Sequence, residues 1–163
     1  MWLEPVLLPE DLLPDRTGEI RLAREALTEQ DWREKTTQEF QSLFEELTSR
    51  ATQWGLNHAI VWSAKSYIGL WKGSRCWCPI WPRKEAGARL YLPVPQGWEN
   101  GTEETPPNAF EQARTELAGI GVTLVWAWSY NMGSNPLGVT LRTEHINTPC
   151  VRALLEQSWR ALP

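Results

Sequence analysis

SYIGLWKGSRCWCPIW, residues 66–81, is the stretch on which the fold turns. β-Branched and aromatic side chains recur at a period of two on both sides of Lys72-Gly73-Ser74, and that tripeptide has turn chemistry. The stretch therefore reads as two antiparallel strands joined by a tight turn. Alternation along the second arm predicts Cys76, Cys78 and Ile80 on one face and Arg75, Trp77 and Trp81 on the other.

Working outward, HAIVWSA (58–64) and ARLYLPV (88–94) are short runs of the same kind, so three or four strands occupy the middle of the chain. Before them the period changes to three and four. Phe40, Leu43, Phe44, Leu47, Ala51 and Trp54 share one face of a long helix running from Thr28 to Gly55, with Thr28 and Asp31 as a capping box and Gly55 as its stop. A shorter helix over 19–27 is a weaker expectation. Residues 1–18 hold three prolines and unperiodic apolar pairs, which suits an extended arm.

Beyond the strands, PQGWENGTEETPP (95–107) is a loop, in which Asn100-Gly101 is a turn. Asn108 and Glu111 then open a helix whose Phe110, Ala113, Leu117 and Ile120 share a face, ended by Gly121. VTLVWAWSY (122–130) and LGVTLR (137–142) are strands around the loop NMGSNP. Thr148 and Pro149 open a last helix carrying Val151, Leu154, Leu155, Trp159 and Leu162. The order α-β-β-β-α-β-β-α predicts a single α+β domain over residues 1–163, with helices on a largely antiparallel or mixed sheet.

The chain has 163 residues and a net charge of −4, and 11 of its residues are tryptophan. The charge is uneven. Residues 1–50 carry twelve acids and six bases, whereas residues 55–95 carry Lys65, Lys72, Arg75, Arg83, Lys84 and Arg89 against Glu85 alone. The same basic segment holds Trp62, Tyr67, Trp71, Trp77, Trp81 and Tyr91. Cations interleaved with ring faces suit single-stranded nucleic acid or a nucleotide, with charge for the phosphates and π-faces for the bases. The plainer alternative is that the rings point into the core and the cations merely solvate the outer face.

Further along, Trp126, Trp128 and Tyr130 fall on one side of a strand with Val122 and Leu124, and read either as core or as a stacking shelf. Trp98, in a polar loop, reads as a partner anchor or as a side chain folded back on its own domain. The candidate binding residues are thus Lys72, Arg75, Trp77, Trp81, Arg83, Lys84, Arg89, Trp98, Trp126 and Trp128.

Catalytic and metal motifs are weak. Element order alone matches the core of restriction-type nucleases, but the acid-x-Lys triplet needed to hold a divalent cation is missing from 55–95. Cys76, Cys78, His145 and Cys150 form a conceivable zinc set with poor spacing; buried free thiols are the better reading. A Cys150–His145 nucleophile pair has no third partner in view, and no phosphate-binding glycine loop occurs. No cofactor is expected.

Three sparse cysteines, no secretory opening and no long apolar run predict a cytoplasmic protein with no membrane partner. The leading expectation is a non-catalytic binding or accessory module contacting nucleic acid or another anionic partner. The alternative is a protein-interaction subunit, a homodimer or an adaptor; an enzyme with an unrecognised site, or a degenerate nuclease-like fold, comes third.

Overall fold

A computed structural model of the chain describes residues 26–83, 87–98, 104–126 and 135–163. The arm at 1–18, most of the short helix expected before Thr28, Lys84, the Asn100 turn, Trp128 and Tyr130 lie outside the described residues. The elements are α1 (Glu29–Lys35), α2 (Gln38–Gln53), β1 (Ala59–Val61), β2 (Ile68–Lys72), β3 (Arg75–Pro82), β4 (Ala88–Leu92), α3 (Asn108–Ala118), β5 (Leu124–Trp126), β6 (Leu137–Leu141), a 3₁₀ turn (Thr143–His145) and α4 (Pro149–Arg160). This is the expected α+β class. No described helix is long and apolar enough to cross a membrane.

The six strands form one sheet in the order β1-β2-β3-β4-β6-β5, and every neighbouring pair is antiparallel. β1 to β4 make a meander. The chain then crosses through α3 to lay β5 at the far edge, and β6 returns between β5 and β4. The turn between β2 and β3 is the two-residue Gly73-Ser74, with Lys72 paired to Arg75 and Gly73 at a φ of 60°, a backbone that glycine adopts without a Cβ penalty.

The long N-terminal helix is in fact two. Thr28 caps α1 as expected: its hydroxyl accepts from the Asp31 N–H, and the Asp31 carboxylate accepts from the Thr28 N–H. The chain then leaves helical geometry at Thr36 (φ −111°, ψ 160°), and the Thr37 hydroxyl accepts from the Phe40 N–H to start α2. Adjacent threonines supply side-chain oxygens that compete with helical backbone bonding. The break lets Trp32 fold back, where its indole N–H donates to the Trp62 carbonyl at 2.7 Å. At α3 the N-cap is Pro107 and not Asn108, with no side-chain cap.

One continuous core joins the helices to one face of the sheet. Phe40, Leu43, Leu47 and Ala51 of α2, Phe110 and Leu117 of α3, and Val151, Leu154 and Leu155 of α4 close over Ile68, Leu70, Cys78, Ile80, Leu90, Leu124 and Val139. Burial of this apolar face is the main favourable term of the fold.

The register of β2 on β3 holds one irregularity. Leu70 pairs with Cys78, but its neighbour Trp71 pairs with Cys76, so Trp77 is an extra residue inserted into β3. A bulge of this kind resets the alternation of its strand. Cys76 and Cys78 therefore lie on opposite faces of the sheet, and so do Trp77 and Trp81, which corrects the simple alternation expected for this strand.

Candidate functional site

The bulge divides the tryptophan-rich segment between two environments. Trp77 goes to the helix side, is 0% exposed, and donates its indole N–H to the Ser158 hydroxyl of α4 at 2.9 Å. Trp81, four residues on, lies on the opposite face. The core that takes in the helices does not include Tyr67, Trp71, Trp81 or Tyr91, and these rings belong to this second face.

β3 and β4 lay out the second face. Trp81 is register-paired with Arg89, and Arg89 with Thr140 of β6. The Tyr67 and Trp81 rings are 5.2 Å apart at 32°, and the Tyr91 ring meets Trp81 edge-on at 6.5 Å. The Arg89 guanidinium donates through Nε to the Thr140 hydroxyl at 2.8 Å and sits 5.8 Å from the Tyr91 ring centroid. Trp81 and Arg89 are half-buried, and Arg83, two residues beyond Trp81, is exposed. The Trp81 Nε1 is shielded from water and meets no acceptor among the described residues.

Two mid-strand glycines leave room for side chains to lie along this face. A Cβ on Gly138 would stand 2.9 Å from Arg89 Nη1, 3.0 Å from Val125 Cγ2 and 3.2 Å from Tyr91 Cε1; one on Gly69 would stand 2.9 Å from Trp71 Nε1 and 3.4 Å from Cys76 Sγ. Glycine thus allows an arginine and a tryptophan to lie against the sheet instead of standing off it. A buried amide braces the bulge beneath: Asn135 Nδ2 lies within donating distance of the carbonyls of Cys76 (3.1 Å), Trp77 (3.0 Å) and Tyr91 (3.2 Å). These are carbonyls that the interrupted ladder leaves in need of donors.

Several expected site residues are engaged elsewhere. Lys72 donates to the carbonyls of Trp159 (2.9 Å) and Leu162 (2.6 Å) and lies 3.7 Å from the Trp159 ring centroid, so its charge closes the C-terminus of α4. Trp98 and Trp126 are each 7% exposed and flank Phe110 in the core, at 6.3 and 5.3 Å between ring centroids. That removes Trp126 as a stacking shelf and Trp98 as an exposed anchor. Arg75 is exposed but is paired with Lys72 at the turn, away from Trp81. Trp81 and Arg89 are the described candidates that the sheet pairs, with exposed Arg83 two residues beyond Trp81.

The soft ligands do not assemble. Among the described residues no group of three or more His, Cys, Asp or Glu side chains is placed to hold a metal. Burial pushes the Cys76 thiol up to about 11, opposed by a backbone hydrogen bond at Cys78. Burial, followed by the charge of Cys76, raises the Cys78 thiol well above the usual range. His145 uses Nδ1 to accept from the Arg142 N–H at 3.0 Å, and Cys150 lines an open groove of about 250 Å³ between α3 and α4. His58 Nδ1 faces the Leu56 carbonyl at 2.9 Å.

Sequence reasoning counted Tyr67 and Tyr91 among the rings of the basic segment without singling them out, and missed the roles of Thr140, Asn135 and the two glycines. The glycines carried a legible signal, since Gly69 and Gly138 each interrupt a run of strand-forming residues. Asn135 carried none, because its contacts are long-range. No protein-family model matches the chain, and comparison with curated proteins and with solved structures yields no match.

Proposed function

We propose that this protein is a non-catalytic binding module that contacts nucleic acid through the second face of its sheet, with Arg83 and Arg89 against the phosphates. The observation that supports this reading most is Arg89. It is oriented by Thr140 beside Trp81, on a part of the sheet where the neighbouring described side chains Tyr67, Trp71, Trp81, Tyr91 and Thr140 bring no acid. A guanidinium held along the sheet beside ring faces, with no ion-pair partner among the described residues, suits a phosphate better than it suits a solvated surface. The non-catalytic part of the reading draws on the Cys76 and Cys78 thiols kept protonated by burial and on a His145 ring whose Nδ1 accepts from the Arg142 N–H.

The test is fluorescence anisotropy of a labelled oligonucleotide across a salt series. Affinity is expected to fall as salt rises, and Arg83→Glu combined with Arg89→Glu is expected to weaken binding at least about tenfold at low salt. Absence of binding at low salt, or affinity unchanged by the double reversal, overturns the reading.

A protein-interaction role is the second reading, because tryptophan, tyrosine and arginine are also the commonest interface anchors. It gains weight if oligonucleotides fail to bind and sedimentation shows a dimer that the same two reversals dissociate.

A further inference from the structure

Resting on the nucleic-acid reading above, we infer that the strand this face takes is single, with an unpaired base stacked on Trp81. Three features of the face converge on it.

The first is the ring pair. Tyr67 and Trp81 are 5.2 Å apart and 32° from parallel, and both residues are half-buried and not sealed in the core. A platform of this kind extends by one more aromatic layer when a base is laid on it. An unpaired base has a free face to offer, whereas a base inside a duplex has both faces occupied by its neighbours.

The second is shape. Gly69 and Gly138 let Trp71 and Arg89 lie down along the sheet. Reading a duplex requires an element that enters a groove, a helix or a projecting two-stranded ribbon. The described part of this sheet face offers neither, but its ring pair can take a base splayed out from a strand.

The third is spacing. Trp81 and Arg89 are directly opposite one another on β3 and β4, and opposed residues of an antiparallel pair have Cβ atoms about 5 Å apart. The guanidinium extends from there toward β6, where it meets Thr140 and Gly138, so a strand laid across β3, β4 and β6 meets the ring with a base and the guanidinium with a phosphate further along. The Trp81 N–H, which meets no acceptor among the described residues, is a donor that binding can satisfy after a small shift of the ring.

The experiment compares three probes on the full chain: a single-stranded oligonucleotide, a duplex of the same length, and heparin as a polyanion without bases. The single strand is expected to bind at least about tenfold tighter than the duplex. Trp81→Ala is expected to weaken the single strand by roughly 5- to 100-fold, the range for loss of one stacked base, to leave duplex and heparin unmoved, and to be largely rescued by Trp81→Phe. Should Trp81→Ala fail to fold, Tyr67→Ala on the partner ring carries the same expectation. Equal affinity for single strand and duplex, or a ring deletion that weakens all three probes alike, overturns this inference and leaves the nucleic-acid reading standing. Failure of all three probes to bind overturns both.

Discussion

Trp77 and Ser158 are joined by a hydrogen bond of 2.9 Å across 81 residues of sequence, with both side chains 0% exposed. The bond ties the bulge of β3 to the last helix and explains why the most buried indole of the segment points away from the basic surface. Ser158→Ala leaves the indole N–H buried without an acceptor, and urea unfolding is expected to show a loss of about 1–3 kcal/mol. Trp77→Phe removes the donor together with part of the ring. In the double variant the serine change should then cost far less than it does alone. Strictly additive costs would mean that the two side chains do not interact.

Asn135 is the second brace. Asn135→Ala withdraws the shared donor from the carbonyls of Cys76, Trp77 and Tyr91, and a loss of about 1–3 kcal/mol is expected from the buried acceptors left behind. Asn135→Asp, which sets a carboxylate against the same carbonyls, is expected to be worse. Equal stability of the wild-type chain and Asn135→Asp contradicts the bracing role.

The glycines of the sheet differ in kind, and alanine substitution separates them. Gly87 has a φ of 75°, and its Cβ site lies 1.8 Å from the Leu141 carbonyl oxygen, a clash with backbone that cannot swing aside. Gly87→Ala is expected to cost about 3 kcal/mol or more or to prevent folding. At Gly138 the nearest atom is the far end of Arg89, so Gly138→Ala is expected to cost less in stability but to displace the guanidinium and weaken oligonucleotide binding. A Gly138→Ala protein with full affinity argues against a site built on Arg89.

Thiol chemistry follows from burial. With its thiol pushed up to about 11, Cys76 is ionised to only about one part in a thousand at pH 8, and Cys78 is fully buried. Both are expected to react with a disulfide reagent only slowly until the chain is unfolded. The sign of the linkage is set by raised folded values: the stability contribution of the neutral thiols is complete below the unfolded value near 9 and is lost as pH rises through about 11. Unfolding midpoints should therefore fall between pH 9 and pH 11, and the fall should shrink in Cys76→Ser. Rapid labelling of both thiols in the native protein would contradict this.

The class of the fold was legible because its signals are local. Period two around Gly73, the Thr28–Asp31 box and the Thr148-Pro149 start are each read within a few residues. The helix break at Thr36-Thr37 was readable in principle, as two capping side chains inside an otherwise continuous stripe. The candidate site was read less well for one physical reason. A strand's faces follow from alternation only while the register is unbroken, and the bulge at Trp77 moves every assignment on one side of it. Nothing local marks that bulge, since its supports are Asn135 and Ser158, far along the chain. Lys72 was misread for a similar reason: its partners at Trp159 and Leu162 are about ninety residues away.

One strand sends Trp77 into the core, and the proposed function has it send Trp81 to a ligand. Fluorine NMR of protein labelled with 5-fluorotryptophan tests it most directly, with the two resonances assigned from Trp77→Phe and Trp81→Phe. On titration with a single-stranded oligonucleotide, the Trp81 resonance is predicted to shift saturably while that of Trp77 stays in place. A Trp81 resonance that does not move, or a Trp77 resonance that shifts instead, contradicts the account.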